Sequence, residues 1–398
     1  MNIMLMSFPS ISSWKDQNSV SVDEFFIQPN ESPDLYHKAH KLHQKYKKAL
    51  ENNDTTAKRF PEPVLQLSAK GLALLSHLYA QKDQSTKQPL VASTVGDFLH
   101  LLKLIQIAPP GIEVTVIFQP TDTKNLPAFY QSQVAPQHRT VIKFEKDENA
   151  LRAINIDPVS NPFFYMMCQT LIVNTLKLGK EKTNLIYFKP KFIINPEDKN
   201  NFFSRQTDFY QCAIYAHRDA RSLNKESNTS AMLYNTAMTK KKTDELEYVE
   251  FELPAKYLKG IHSKTYSAYV LTQHGQTVVT NKGKTLKQVH EQYLDSDGYA
   301  HKFSKRYQEW VKDYVEKTPG HEIKKKVALY DAANMTLESL IQIYGPQVTS
   351  DNMPLAVEPI TNQFNTMKIE TETKNKQSVS QLQENANLSK PKSFSPFQ

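Results

Sequence analysis

Between residues 34 and 52 the apolar positions Leu35, Ala39, Leu42, Tyr46 and Ala49 recur every three or four residues, with Lys38, Lys41, Lys45 and Lys48 on the other face. That spacing predicts a basic amphipathic helix. Residues 64–81 and 94–107 read as two more helices, the second opening at Ser93 or Thr94 as N-cap. The period then changes. Short stretches rich in β-branched and aromatic residues at 111–120, 139–144 and 152–157 predict strands, 162–177 a buried helix, and 183–194 a further strand. Helices follow at 212–224, 300–316 and 323–344. The pattern is that of an α+β protein, a strand meander with helices packed on it.

Shifts in composition divide the chain. Residues 1–32 and 346–398 are polar, with no sustained apolar period, and read as disordered segments. The first of them is a candidate secretion signal, although it lacks a basic leader followed by a long apolar stretch. A linker rich in Asn, Ser, Thr and Lys is expected over 226–246. Residues 33–110 and 247–345 are expected to form a helical layer around a core spanning 111–225.

The chain has 398 residues, 39% of them apolar, with 49 Lys and Arg against 41 Asp and Glu, for a net charge of +8. A moderate positive balance suits an anionic partner without choosing one. The sequence has no zinc finger and no aromatic pair of the RNA-binding type, so nucleic acid is not expected as a partner. No stretch approaches the roughly 20 apolar residues of a membrane-spanning helix. The two cysteines, Cys168 and Cys212, make neither a disulfide framework nor a multi-cysteine zinc site. His37, His40 and His43 recur on one helix but drift around it, and no thiol or carboxylate cluster joins them, so no metal site is expected.

The candidate chemistry centres on Cys212, which stands where a helix begins. The positive end of a helix dipole stabilises a thiolate there, although a buried cysteine is more often inert filler. A nucleophilic cysteine needs a histidine base and an acid that orients it. His138 stands at the mouth of the strand 139–144 and Asp157 at the end of 152–157, a separation suited to a hairpin. Gln206, six residues before the cysteine, supplies an amide that can meet an oxyanion together with the Cys212 backbone N–H.

These segments, HRTVIKF, AINIDPV and QTDFYQCAIYA, resemble the YopJ family of bacterial effector acetyltransferases, whose core is shared with ubiquitin-like-protease-type cysteine peptidases. The likeness spans about 138–224 and continues through 253–264 and 280–293. It implies a papain-like core with a helical regulatory layer. It also implies transfer of acetyl from acetyl-CoA through a Cys212 thioester to Ser, Thr or Lys of host proteins, signalling kinases among them. His138 would be the base, Asp157 its orienter and Gln206 the oxyanion donor. Inositol hexakisphosphate would be the activator, with Lys259, Lys264, Lys282 and Lys284 as candidate contacts, His262 beside them, and Lys282 as a candidate autoacetylation site. The protein would be secreted and act in the host cytoplasm. Gln211 and Ala213 differ from the acidic and small residues that flank the cysteine in many members. The same triad would also serve a cysteine protease acting on ubiquitin-like modifier conjugates, which is the alternative function.

Overall fold

The computed structural model describes residues 20–346, apart from 29–32, 55, 58–59, 61, 123, 125, 127, 132–137, 178–183, 196–197, 207–210, 245, 262–263 and 295–298. The tail expected over 346–398 and most of the expected N-terminal segment lie outside the described residues.

Eleven strands are described: β1 (Phe26–Ile27), β2 (Gln66–Leu67), β3 (Leu90–Ala92), β4 (Glu113–Phe118), β5 (Thr140–Lys146), β6 (Ala150–Ile156), β7 (Asn184–Pro190), β8 (Ile194–Asn195), β9 (Asp198–Phe202), β10 (Thr239–Lys242) and β11 (Glu247–Phe251). The helices are α1 (Pro33–Glu51), α2 (Ala69–Asp83), α3 (Val95–Ile107), α4 (Ala128–Gln131), α5 (Pro162–Lys177) and α6 (Cys212–Asn224), followed by α7 (Thr229–Asn235), α8 (Lys264–His274), α9 (Leu286–Leu294), α10 (Tyr299–Lys317), α11 (Gly320–Ala328) and α12 (Leu337–Tyr344).

Seven strands form one sheet in the order β10-β11-β7-β6-β5-β4-β3. The β4-β5-β6 centre is antiparallel, whereas β6 to β7 is parallel and is reached through α5, the helical crossover that parallel neighbours require. The sheet is therefore mixed, and the expected meander holds only for its middle.

Side-chain alternation sorts the core into two layers. Val114, Val116, Phe118, Ile142 and Phe144 face α3, α5 and α12, while Ile117, Val141, Ile154 and Phe188 face α2, α6, α10 and α11. Burial on both faces explains why these strands read as short apolar runs. Thr94 caps α3, and its hydroxyl and the Asp97 carboxylate each satisfy a backbone N–H at the helix start. A third cluster, built on Phe203, Leu258, Tyr266, Val270, Leu286 and Val289, joins α8 and α9.

Several expected boundaries do not survive. The cut at 110/111 separates β3 from its neighbour β4, and the cut at 225/226 leaves β10 and β11 outside the sheet they complete. All described residues fall in one compact unit ending at Pro346. The expected linker 226–246 contains α7 and β10, because buried Thr229, Ser230 and Leu233 give it an anchored face. Within 1–32, residues 26 and 27 pair with β2, and Phe25 and Phe26 are buried. Aromatic anchors outweighed the polar composition there. The helix expected over 323–344 is two helices, broken by a tight turn at Ala332–Asn334 whose Asp331 side chain accepts from Ala333 N–H.

Candidate active site

The hairpin β5-β6 ends its ladder at the pair Val141 and Ile156. His138 and Asp157 therefore leave the same end of the sheet. His138 Nε2 is 2.5 Å from Asp157 Oδ2, and both residues are buried. The other Asp157 oxygen accepts from the backbone N–H groups of Val159, at 2.8 Å, and Asn161, at 3.3 Å. The Asp157 N–H donates to the Tyr165 hydroxyl at 2.8 Å. The carboxylate is thus fixed before it meets the imidazole. Phe164 lies edge-on to the imidazole, with ring centroids 4.5 Å apart.

Cys212 is the first residue of α6, and the Gln211 side chain does not cap that helix. The sulfur sits at the positive end of the helix and shares a hydrogen bond with His138. Since Nε2 is engaged by Asp157, this bond belongs to Nδ1. Burial pushes the thiol up, but the His138 hydrogen bond and the nearby charges of Arg139 and His138 outweigh it and hold Cys212 below its ordinary value. For His138 burial works against the charged form, yet Asp157 and then Cys212 prevail and raise it to about 10. Both shifts favour the ion pair of thiolate and imidazolium over the neutral pair. The geometry brings together the three residues singled out from the sequence, a set whose chemistry suits a nucleophile, a proton carrier and an orienting acid.

Gln206 is buried, and its backbone N–H donates to Pro158 O at 3.2 Å, which ties it to the turn after Asp157. Its neighbour Arg205 makes a buried ion pair at 2.7 Å with Asp219 of α6, and also donates to Tyr257 O at 2.9 Å. Arg218 reaches the same carbonyl at 2.9 Å. Tyr215, one turn after Cys212, donates to Gly260 O. The segment 255–260 is thereby hydrogen-bonded to both the nucleophile helix and the glutamine loop. Sequence reasoning missed Arg139, Arg205 and Asp219. Each stood beside a residue that was singled out or on the nucleophile helix, but nothing in their spacing marked them.

Of the candidate polyphosphate contacts, Lys259 is half-buried and donates to Val279 O at 3.0 Å. Burial, with Arg218 and Lys256 close by, pushes it down to about 8. Lys282 and Lys284 are exposed on a turn whose Gly283 has φ +74°, and Lys284 donates to Gln292 at 3.0 Å. They lie in the α8–α9 region, and the Lys284 carbonyl accepts from the N–H of Val279, whose own carbonyl accepts from Lys259. The Lys264 side chain and His262 are outside the described residues. His43, from the helix with three histidines, is buried against Phe60 O. Among the described residues no group of three His, Cys, Asp or Glu could hold a metal ion.

A groove of about 640 Å³ reaches the triad at Asp157. Phe192, Phe203, Tyr266 and Tyr269 wall it, with Lys191 and His274 among its polar groups.

The profile of the family described as YopJ serine/threonine acetyltransferase matches residues 37–317. The chain belongs to this family. No curated protein sequence matches it. Among solved structures, an AvrA deletion variant with IP6 and CoA is 11% identical with a TM-score of 0.41, covering 69% of this chain and 98% of that one. HopZ1a in complex with IP6 and CoA is 12% identical with a TM-score of 0.38, covering 76% and 99%. Membership rests on the family match, which includes the whole triad. The differences at Gln211 and Ala213 fall inside this family member's helix start, where both are buried.

Proposed function

We propose that this protein is an acetyl-CoA-dependent protein acetyltransferase working through an acetyl thioester on Cys212. The observation that carries the reading is the hydrogen-bonded series Asp157, His138, Cys212 at the start of α6, in a chain of an acetyltransferase family. In the first half-reaction the Cys212 thiolate attacks the acetyl carbonyl carbon. Gln206 and the Cys212 backbone N–H are the donors for the oxyanion. The carbon–sulfur bond to coenzyme A breaks, and His138 protonates the departing thiolate. In the second half the neutral imidazole takes a proton from a Ser or Thr hydroxyl, or from a Lys amine, as it attacks the thioester and expels Cys212. Asp157 holds the ring in orientation throughout.

The groove at Asp157 fits the acyl donor, with aromatic walls for the pantetheine arm and Lys191 for its phosphates. Inositol hexakisphosphate fits the cations around 255–260, where Lys256, Lys259 and Arg218 gather, Lys256 paired with Glu226 and Arg218 with Asp219. Lys264, Lys282 and Lys284 extend the basic character of this region, and Lys282 is exposed enough to receive an acetyl group. The natural setting is a host cell reached by secretion, with host signalling proteins as acceptors. Among the described residues no helix is long and apolar enough to cross a membrane.

Purified protein incubated with labelled acetyl-CoA, with and without inositol hexakisphosphate, tests this. Label on the wild type that depends on the polyphosphate and is absent from Cys212→Ala supports the proposal. No label, together with cleavage of a ubiquitin-like modifier conjugate, overturns it in favour of a protease.

A further inference from the structure

The first turn of α5 touches both members of the His138–Asp157 pair. Phe164 lies edge-on to the His138 ring, and the next residue, Tyr165, accepts the Asp157 backbone N–H on its hydroxyl at 2.8 Å. Tyr165 is held in turn. Its backbone carbonyl accepts from the Tyr187 hydroxyl of β7 at 3.1 Å, that hydroxyl accepts from Asn155 Nδ2 at 2.8 Å, and Asn155 Oδ1 accepts from the Thr140 hydroxyl at 2.8 Å. All four side chains are buried. Thr140 stands two residues after His138 and Asn155 two before Asp157, so the series ties both strands of the β5-β6 hairpin to the start of α5. Hydrogen bonds run from Asn155 through Tyr187 and Tyr165 to Asp157, and two steps of main chain close the ring. A buried polar network whose members satisfy one another is rigid.

The N–H groups of Val159 and Asn161 orient the Asp157 carboxylate, but they leave open where the main chain carrying it is placed. The Tyr165 hydroxyl takes hold of that main chain. We infer that Tyr165 is a positioning residue, whose hydroxyl fixes the Asp157 main chain and through it the aim of His138 at Cys212. The aim of the ring is a property of the free enzyme, while the effect on turnover rests on the acetyl transfer proposed above.

The same residue also meets the groove. Its ring lies edge-on to Phe192, with centroids 5.4 Å apart, and Phe192 is one of the walls assigned to the acyl donor. Tyr165 therefore touches the donor groove with its ring and the acid with its hydroxyl. Tyr165→Phe separates the two contacts, because it keeps the ring and removes the hydroxyl. Burial and the Asp157 charge push the phenol well up, with Arg205 and Asp219 the other charged groups near it. It stays a neutral hydroxyl across the range in which a lowered Cys212 titrates.

The test is iodoacetamide alkylation of Cys212 in the full-length protein across a pH series, read by peptide mass so that Cys168 is counted separately. The rate and half-saturation of Cys212 acetylation by acetyl-CoA are measured beside it. Tyr165→Phe is expected to move the alkylation midpoint up by about half a pH unit, a roughly threefold loss of rate on its acid side. It is expected to slow acetylation at saturating acetyl-CoA about tenfold and to keep the half-saturating concentration within about twofold, because the ring stays against Phe192. A residue that acts through Asp157 loses its effect once that carboxylate is gone, so Tyr165→Phe added to Asp157→Asn should move the midpoint no further. A folded Tyr165→Phe with the wild-type midpoint, or with a shift as large on Asp157→Asn as on wild type, overturns the inference. A raised half-saturating concentration with an unchanged saturating rate makes Tyr165 a groove wall only and overturns it as well. If Tyr165→Phe does not fold, Tyr187→Phe decides: it releases the Tyr165 carbonyl and leaves the Tyr165 hydroxyl, so a smaller upward shift is expected and an unchanged midpoint overturns the inference. Shifted midpoints in a protein that takes no label from acetyl-CoA would defeat the proposed function while leaving the hold on Asp157 standing.

Discussion

His138 Nε2 and Asp157 Oδ2 meet at 2.5 Å just past the last pair of the β5-β6 ladder, which directs the remaining ring nitrogen to Cys212. Two residues nineteen positions apart become neighbours because a tight hairpin brings both strand ends to one edge of the sheet.

The pH dependence of stability follows from that contact. His138 is raised from 6.5 to about 10, so its contribution is complete below about 6.5 and is lost as pH rises through about 10. Cys212 is lowered, so its contribution is present above the ordinary thiol range and is lost as pH falls through the lowered value. Denaturant unfolding of wild type and Asp157→Asn across this range should show a stability difference that is constant below pH 6.5 and shrinks toward pH 10. A difference that grows with pH would contradict the assignment.

The buried pair of Arg205 and Asp219 gives a second prediction. Asp219→Ala strands a buried cation and should cost about 3–5 kcal/mol in urea unfolding. Replacing both partners, as Arg205→Met with Asp219→Leu, should restore part of that loss, because Arg218 still loses its ion pair with Asp219. Acetyl transfer should remain depressed in the double variant, because the loop carrying Gln206 loses its tie to α6. Full activity in a stable double variant would limit the pair to a structural role.

A third prediction concerns the polyphosphate. Lys259 is pushed down to about 8, so it is only partly charged near that pH. A bound polyanion favours the charged form, so binding at pH 8 should take up protons. Calorimetric titrations in two buffers of different ionisation enthalpy should give different apparent heats. Lys259→Gln should remove most of that difference and raise the half-saturating concentration roughly tenfold, as loss of one charge-assisted contact implies.

The sheet itself offers a fourth. Phe98 of α3 is fully buried and stacks on Phe118 of β4 with ring centroids 4.3 Å apart. Phe98→Ala should lower stability by about 3–5 kcal/mol in denaturant unfolding. Because this layer lies on the face opposite α6, the alkylation midpoint of Cys212 in the folded variant should not move.

What the sequence disclosed depended on how local the signal was. The helices 162–177 and 212–224 matched their observed ends, because each has an uninterrupted period and a clear start. The strands of the β5-β6 hairpin, and with them His138 and Asp157, were readable for the same reason. The edges of the sheet were not. β3 has three residues and β10 is TKKK, so neither carries a periodic signal, and both owe their place to partners far along the chain. Arg139 illustrates the same limit within the site. It sits in a motif that was singled out, but its contacts are with Gln66, seventy-three positions away, and with the sulfur of a distant helix.

The most direct measurement is acid-quenched peptide mass analysis of the protein after brief exposure to acetyl-CoA and inositol hexakisphosphate. The account predicts an acetyl group on Cys212 that hydroxylamine removes, lost in His138→Asn and present without any acceptor protein. Acetyl found on other residues in a Cys212→Ala variant, with no thioester at Cys212 in the wild type, would contradict it.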